Sequence, residues 1–435
     1  MKKIVDQKTF KELQKDADYA CIRNPEGVFP PYEYQPLSPK RPFLEDLSAV
    51  VSDMDGTTTT TENLCIHSLE MMVRRISGKT DLDSWAGLDR SADYPHIIGN
   101  STTRHVEFLI EKYQAMIDPS ALIKAFLGSA LWFFRNGKDA RRIAEVALTA
   151  RLVACGDLEH ELHLSDKALI ERYVTICRID SKSKIVRCAV DIYYRRYHEI
   201  LMAIDQGTEI PNAEMLHGMS RDSLIEPMPA VAIFISLIRG LIVPDEAVAL
   251  VPRLKEAFRE KSGRTFMGGD TENGVRRLAE RFSSRPVRLA LVTSSIFYEA
   301  DIVVKQVFKA ICREITDWEL SENTKNRLIR HFSDYHLIYD AFVTANDSHE
   351  IRLKPHRDLY SIALYQMHIS ENERNSVMGF EDSESGTIAL RAAGIGCAVA
   401  LPFAETAGHD LSAAAHTVQG GLAEVILQHH CFLES

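Results

Sequence analysis

The sequence predicts an α/β fold: a parallel-sheet core with a large, mostly α-helical segment inserted after its first strand. Three observations predict it. A short apolar run, Leu47 to Val51, stops at Asp53 in "VVSDMDGTTTTT", as a buried strand ending in a loop does. From about 62 to 270 helical periodicity runs almost without interruption. After "MGGD" (Met267 to Asp270), short apolar runs alternate with helical stretches in the βαβ manner. With 435 residues the chain is long enough for two to three domains of roughly 150 residues, so it can bury a large core without a disulfide or metal staple.

Taken in order, residues 1–46 hold the proline-rich "NPEGVFPPYEYQPLSPKRPF", which predicts an irregular extension with no visible chemistry. The core is expected in two pieces, 47–62 and 271–435, and the helical insertion spans 63–270. Within that insertion, "PSALIKAFLGSALWFFRNG" repeats apolar residues at Leu122, Ile123, Phe126, Leu127, Ala130 and Phe134, with Gly137 placed to end the helix. "CAVDIYYRRYHEILMAI" does the same at Val190, Tyr193, Tyr197, Leu201 and Ile204. Arg195, Arg196 and Glu199 are left on the other side, where a solvated helix face is expected in preference to an anion site. "AVAIFISLIRGLIV" (Ala230 to Val243) is interrupted by Arg239 and Gly240 and is shorter than the roughly 20 residues of a membrane span, so it reads as a buried helix. In the second core piece, strands are expected at Val287–Val292, Asp340–Ala345, Ser376–Phe380 and Cys397–Leu401, with helices at about 271–283, 358–368 and 385–393. Right-handed crossovers between such strands collect their carboxyl ends at one edge of a parallel sheet.

A formal net charge of -10 argues against nucleic acid and anionic membranes as partners, since both repel an acidic protein. The eight cysteines show no CxxC or CxH spacing, so neither zinc nor a redox dithiol is suggested and free thiols in a reducing cytoplasm are expected. The charged start, "MKKIVDQKTFKELQKDADYA", lacks the apolar segment of a signal peptide and agrees with a cytoplasmic location.

The chemistry gathers at strand ends. "DMDG" (Asp53 to Gly56) taken alone reads equally as a hairpin turn, while an EF-hand loop from Asp53 is excluded because Thr58 and Leu64 stand where glycine and glutamate are needed. "LALVTSS" puts Thr293, Ser294 and Ser295 after a second run, "RLKPHRDLY" puts Lys354 after a third, and "VMGFEDSESG" puts Glu381 and Asp382 after a fourth. Each set alone has an ordinary structural explanation in a cap, a surface lysine or an acidic turn. Together they suit phosphoryl transfer: paired carboxylates at i and i+2, a third carboxylate to help hold Mg2+, and a lysine with a hydroxyl to complete an oxygen cradle.

The order "DMDGT", "LVTSS", "LKPHRDLY", "GFEDSESG" resembles the four motifs of the haloacid dehalogenase superfamily, in its phosphatase and phosphomutase branch with a cap inserted after the first motif, like β-phosphoglucomutase. The resemblance covers roughly 47–62 and 271–405. It implies a Rossmann-like core, Asp53 as a nucleophile forming an aspartyl-phosphate, and Asp55 as general acid and then base. It implies that Thr293 and the Ser294 backbone bind the phosphoryl group, with Gly56 and Thr57 in the same loop, and that Lys354 neutralises it. Mg2+ is implied at Asp53, the Asp55 main-chain carbonyl and Asp382, with Glu381 beside it. An acid at position 55 argues against carbon–halogen cleavage.

"IIGNSTTRHVEFLIEKY" (Ile97 to Tyr113) resembles the segment of the cap that contacts substrate, making Gly99, Asn100 and Ser101 substrate contacts; an ordinary helix N-cap by Ser101 or Thr102 explains it as well. Sugar-phosphate mutases of this branch place an arginine sooner than Arg104, which follows Thr102 and Thr103 here. The expected function is therefore a Mg2+-dependent phosphatase acting on a small phosphorylated metabolite, with a mutase second and a non-catalytic binding module third. Residues 119–225 have no counterpart in the branch. Thr58 to Thr61 are expected to form a polar flap and hinge between core and cap.

Overall fold

The computed structural model describes residues 11–12, 17–24, 28–81, 83–94, 102–216, 220–402, 406 and 408–434. They form two compact units, one of residues up to Thr60 and from Glu226 onward, the other of Thr61–Ile225.

The first unit is built on a six-stranded sheet with the order β10-β9-β8-β3-β6-β7. Its strands are β3 (Ala49–Asp53), β6 (Arg288–Val292), β7 (Ala341–Val343), β8 (Val377–Glu381), β9 (Cys397–Ala400) and β10 (His416–Thr417), and every pairing is parallel. The chain adds β6 and β7 on one side of β3 and then crosses to add β8, β9 and β10 on the other. The direction of winding thus reverses at β3, and the crevice beyond the carboxyl ends of β3, β6 and β8 is where such sheets hold ligands. Ala49 and Val51 join Ala290, Val292, Ala341 and Val343 on one face, covered by Leu359, Tyr360, Ala363 and Leu364 of α13 (Asp358–Gln366) and by Ala389 and Leu390 of α14 (Glu384–Ala392). Each fully buried aliphatic side chain of this layer contributes about 1.5–3 kcal/mol by leaving water.

Residues 226–270, expected in the insertion, belong to this unit instead. Helix α7 (Val231–Ile238) sets Phe234 against Phe380 of β8 with ring centroids 5.3 Å apart. The Val287 amide donates to the Ile238 carbonyl at 2.9 Å, and Arg239 reaches Asp340 at 2.7 Å. Periodicity announced these helices but carried no information on which unit they pack against. Helices α8 (Pro244–Ala249), α9 (Val251–Ser262) and α10 (Thr271–Ser284) follow. The long stretch after β6 folds as α11 (Phe297–Thr316) and α12 (Glu322–Phe332), with Trp318 buried at their join, and α15 (Gly421–Leu427) closes the unit.

The proline-rich extension is not irregular throughout. β1 (Tyr19–Arg23) and β2 (Tyr32–Pro36) pair antiparallel from Tyr19↔Pro36 to Arg23↔Tyr32. Ala20, Ile22 and Leu37 pack on Ala392 of α14. Arg391 fastens the segment by donating to the Ser38 carbonyl at 2.8 Å and to Asp18 at 3.0 Å.

The second unit is helical: α1 (Glu62–Ser77), α2 (Thr102–Lys112), α3 (Pro119–Asn136), α4 (Ala140–Leu152), α5 (Asp166–Tyr173) and α6 (Lys182–Gln206). Its caps are local and legible. Asp118 accepts from the Ala121 amide at 2.6 Å with Pro119 in the first turn, and Asp139 accepts from the Arg142 amide at 2.7 Å. α6 packs on α1, α2, α3 and α4, so it is enclosed on more than one side. That enclosure overturns the expected solvated face: Arg196 is 0% exposed, and Glu199 is buried as well.

Candidate active site

Strand register brings the site together. Asp53 pairs with Val292 and Ser52 with Phe380, so the next residues on the flanking strands, Thr293 and Glu381, lie on either side of Asp53. After Asp53 the chain turns sharply: the Met54 carbonyl accepts from the Thr58 and Thr59 amides at 2.9 and 2.8 Å. Gly56, at φ 81°, occupies the left-handed conformation this turn requires and donates to the Thr59 carbonyl at 2.8 Å.

Two of the four threonines expected in a flap are internal braces. Thr58 donates its hydroxyl to the Asp53 carbonyl at 2.6 Å and lies 2.9 Å from Ser52 Oγ, and Thr59 donates to the Met54 carbonyl at 3.2 Å. β4 (Thr59–Thr60) pairs antiparallel with β5 (Glu226–Pro227). The hydroxyls therefore hold the loop that presents Asp53 and Asp55. Thr57 is also buried, and its Oγ1 has no hydrogen-bond partner among the described residues.

Asp53 is buried and hydrogen-bonded by the Lys354 ammonium, which also lies 2.7 Å from Glu381 Oε1. Glu381 is saturated. Its Oε1 accepts from Lys354 and the Tyr360 hydroxyl, and its Oε2 accepts from the Asp382 and Ser383 amides and from Ser383 Oγ at 3.0–3.3 Å. That shell makes Glu381 the anchor that orients Lys354 toward Asp53. Gly386 is needed for it: a Cβ there would stand 1.8 Å from the Glu381 carboxyl carbon.

Asp55 has different neighbours. Its Oδ2 accepts from Thr293 Oγ1 at 3.3 Å and from Ser295 Oγ at 3.4 Å, while the Ser295 amide donates to Thr293 Oγ1 at 2.9 Å. Ser294, between them, is exposed.

One oxygen each of Asp53, Glu381 and Asp382 fall within 4.8 Å of one another, all on buried residues. Burial first, and then the Glu381 charge, push the Asp53 and Asp382 carboxyls well above the ordinary carboxylate range. Burial opposes the charge of Lys354, yet Asp53 and Glu381 raise its pKa further, so it stays an ammonium. Three carboxyl groups crowd one lysine, and two of them resist ionising while no further cation among the described residues answers their charge. Hard oxygen donors that ionise when a cation arrives fit a divalent ion such as Mg2+.

The structure thus brings together Asp53, Asp55, Thr293, Lys354, Glu381 and Asp382, with Gly56 and Thr57 in the same turn. Gly99, Asn100 and Ser101 lie outside the described residues. Sequence reasoning missed Tyr360 as a member, and it named Ser295 at the strand end without giving it a role. It also missed the brace behind Lys354, where Glu33 of β2 meets Arg352 at 2.9 Å, Gln35 lies 2.8 Å from the buried His356, and Arg352 grips Asp358 through two bonds. The only signal for that brace was charge complementarity between distant segments.

No protein-family model matches the chain, and no curated protein does. Among solved structures, the chain is similar to CbbY from Rhodobacter sphaeroides, solved with phosphate, at 14% identity and a TM-score of 0.38, covering 87% of this chain and 96% of that one. It is also similar to a protein assigned as a beta-phosphoglucomutase from Thermotoga maritima, at 14% identity and a TM-score of 0.36, covering 88% and 99% respectively.

Proposed function

We propose that the protein is a haloacid dehalogenase-type phosphatase that hydrolyses a small phosphate monoester through an aspartyl-phosphate on Asp53. The observation that carries this reading is the division between two aspartates of one turn: Asp53 is pinned by Lys354 and faces Asp382, while Asp55 faces the hydroxyls of Thr293 and Ser295.

An Asp53 carboxylate oxygen attacks phosphorus, the bond to the ester oxygen breaks, and Asp55 gives that oxygen its proton. The product alcohol leaves. Asp55, now a carboxylate, takes a proton from water as the water oxygen attacks phosphorus, releasing phosphate and the free Asp53 carboxylate. Thr293 and the Ser294 backbone donate to the phosphoryl oxygens, and Lys354 offsets their charge through both steps. Asp53, Asp382 and the Asp55 carbonyl would hold Mg2+, which supplies positive charge against the phosphoryl group when bound.

The eight free cysteines support a reducing, cytoplasmic location, and no helix among the described residues is long and apolar enough to cross a membrane. The test is turnover of a phosphate-ester panel with Mg2+, read as free phosphate. Wild type is expected to release phosphate, and Asp53→Asn to fall by roughly 10³-fold or more. Equal activity in the two would remove Asp53 as nucleophile, and isomer formation without phosphate release would replace the phosphatase with a mutase.

A further inference from the structure

The helical unit encloses a second cluster of charge that the phosphatase chemistry does not use. Glu199 of α6 sits among three guanidinium groups: Arg75 Nη2 at 3.2 Å, Arg195 Nε at 2.7 Å and Arg196 Nη1 at 3.7 Å. Arg196 also donates from Nε to His67 at 3.0 Å and from Nη1 to the Pro211 carbonyl at 2.6 Å, and neither acceptor is a carboxylate. Two donors remain. Arg75 Nη1 and Arg196 Nη2 are buried and have no hydrogen-bond partner among the described residues.

Burying an arginine is tolerated when a carboxylate or phosphate answers its charge and its fork of donors. Among the described residues one carboxylate answers three cations, and the exposed Glu214 adds only its field at Arg196. Burial lowers the pKa of both Arg75 and Arg196, the latter to about 10, as incomplete compensation requires. The side chains are graded in depth, with Arg195 27%, Arg75 15% and Arg196 0% exposed, so an ion reaches the two buried donors past Arg195 and Arg75 as these side chains move. Gly128 of α3 leaves room for it, since a Cβ there would stand 3.1 Å from Arg195 Nη1.

We propose that Arg75, Arg195 and Arg196 form a binding site in the helical unit for a small oxyanion, phosphate or the phosphate group of a metabolite, held by the free donors of Arg75 and Arg196. A tetrahedral oxyanion offers several acceptors at once and supplies the missing negative charge.

Crystals of the full chain soaked in selenate, an anomalous scatterer with the shape of phosphate, test the location. A selenium peak is expected within hydrogen-bond distance of Arg75 Nη1 and Arg196 Nη2, and Arg75→Gln should abolish it while leaving any peak beside Thr293 and Lys354. Arg75 is partly exposed, unlike Arg196, so its replacement spares the fold. In solution, inorganic phosphate binding measured by calorimetry should contain a component that weakens about ten- to a hundredfold in Arg75→Gln and tightens severalfold in Glu199→Gln. Water alone between the two guanidinium groups overturns the proposal. So does selenate there without a saturable solution component that Arg75→Gln weakens. Because the selenium peaks of the two sites are separate, loss of the one beside Lys354 counts against the phosphatase reading and not against this one.

Discussion

The chain buries two charge clusters of opposite sign. At the carboxyl edge of the sheet, Asp53, Glu381 and Asp382 surround Lys354; in the helical unit, Arg75, Arg195 and Arg196 surround Glu199. Among the described residues, each sets three groups of one kind around a single group of the opposite kind. They differ in how the minority charge is used. Lys354 bonds Asp53 and Glu381, and Glu381 is itself tied by amides and hydroxyls, so the carboxylate cluster is rigid and aimed. The guanidinium cluster keeps two buried donors without a hydrogen-bond partner among the described residues. A preorganised site aimed at a reacting atom and a site that merely lacks its counter-ion thus have different geometric signatures.

The largest expected effect breaks the first cluster. Lys354→Met should lower turnover by roughly 10²–10³-fold while retaining the fold, and chelation of Mg2+ with EDTA should abolish wild-type turnover reversibly. If Lys354→Met keeps wild-type turnover, the lysine is a structural counter-charge and the contrast with Glu199 disappears. Gly386→Ala is next, since its Cβ would meet the Glu381 carboxyl at 1.8 Å. It should cost about 2–4 kcal/mol in a denaturant titration and lower turnover too, because Lys354 loses its anchor. An unaltered melt and rate would show that Glu381 is dispensable.

A smaller effect tests whether buried charge in the helical unit is under-compensated more widely. Burial pushes the Asp191 carboxyl from 3.8 up to about 7, with Arg142 only 3.8 Å away as partial relief. A raised carboxylate pKa means the fold prefers the neutral form, so Asp191's contribution to stability is greatest below about pH 4, falls as pH rises to about 7, and is flat above. Asp191→Asn should remove that slope and stabilise the chain at pH 8 by about 1–4 kcal/mol. A melting curve equally pH-dependent in both proteins would remove Asp191 as its source.

How much of this could be read from residues alone depended on whether chemistry followed an apolar run. Asp53, Thr293, Glu381 and Asp382 each end a short buried strand, and Lys354 lies beyond one, so parallel pairing was enough to gather them. Arg196 and Glu199 gave no such signal: on a helix enclosed by four others, the distinction between apolar and polar faces disappears, and charge patterning then suggests water where there is protein. β2, "YEYQP", alternates tyrosines with polar residues, but it buries Gln35 and exposes the tyrosines, and the strand pair packs on Ala392 of α14, far along the chain. The helices of 226–270 were visible, yet their membership in the sheet unit rests on packing against residues far along the chain, such as Phe234 on Phe380 and the later helices α10 and α15.

The most direct test of the central claim is acid-quench trapping during turnover of a 32P-labelled monoester with Mg2+, followed by peptide mapping. The account predicts a label that is stable to acid, released by hydroxylamine as an acyl-phosphate is, and confined to the peptide bearing Asp53. Steady turnover with no covalent label, or with label on a peptide lacking Asp53, would contradict it.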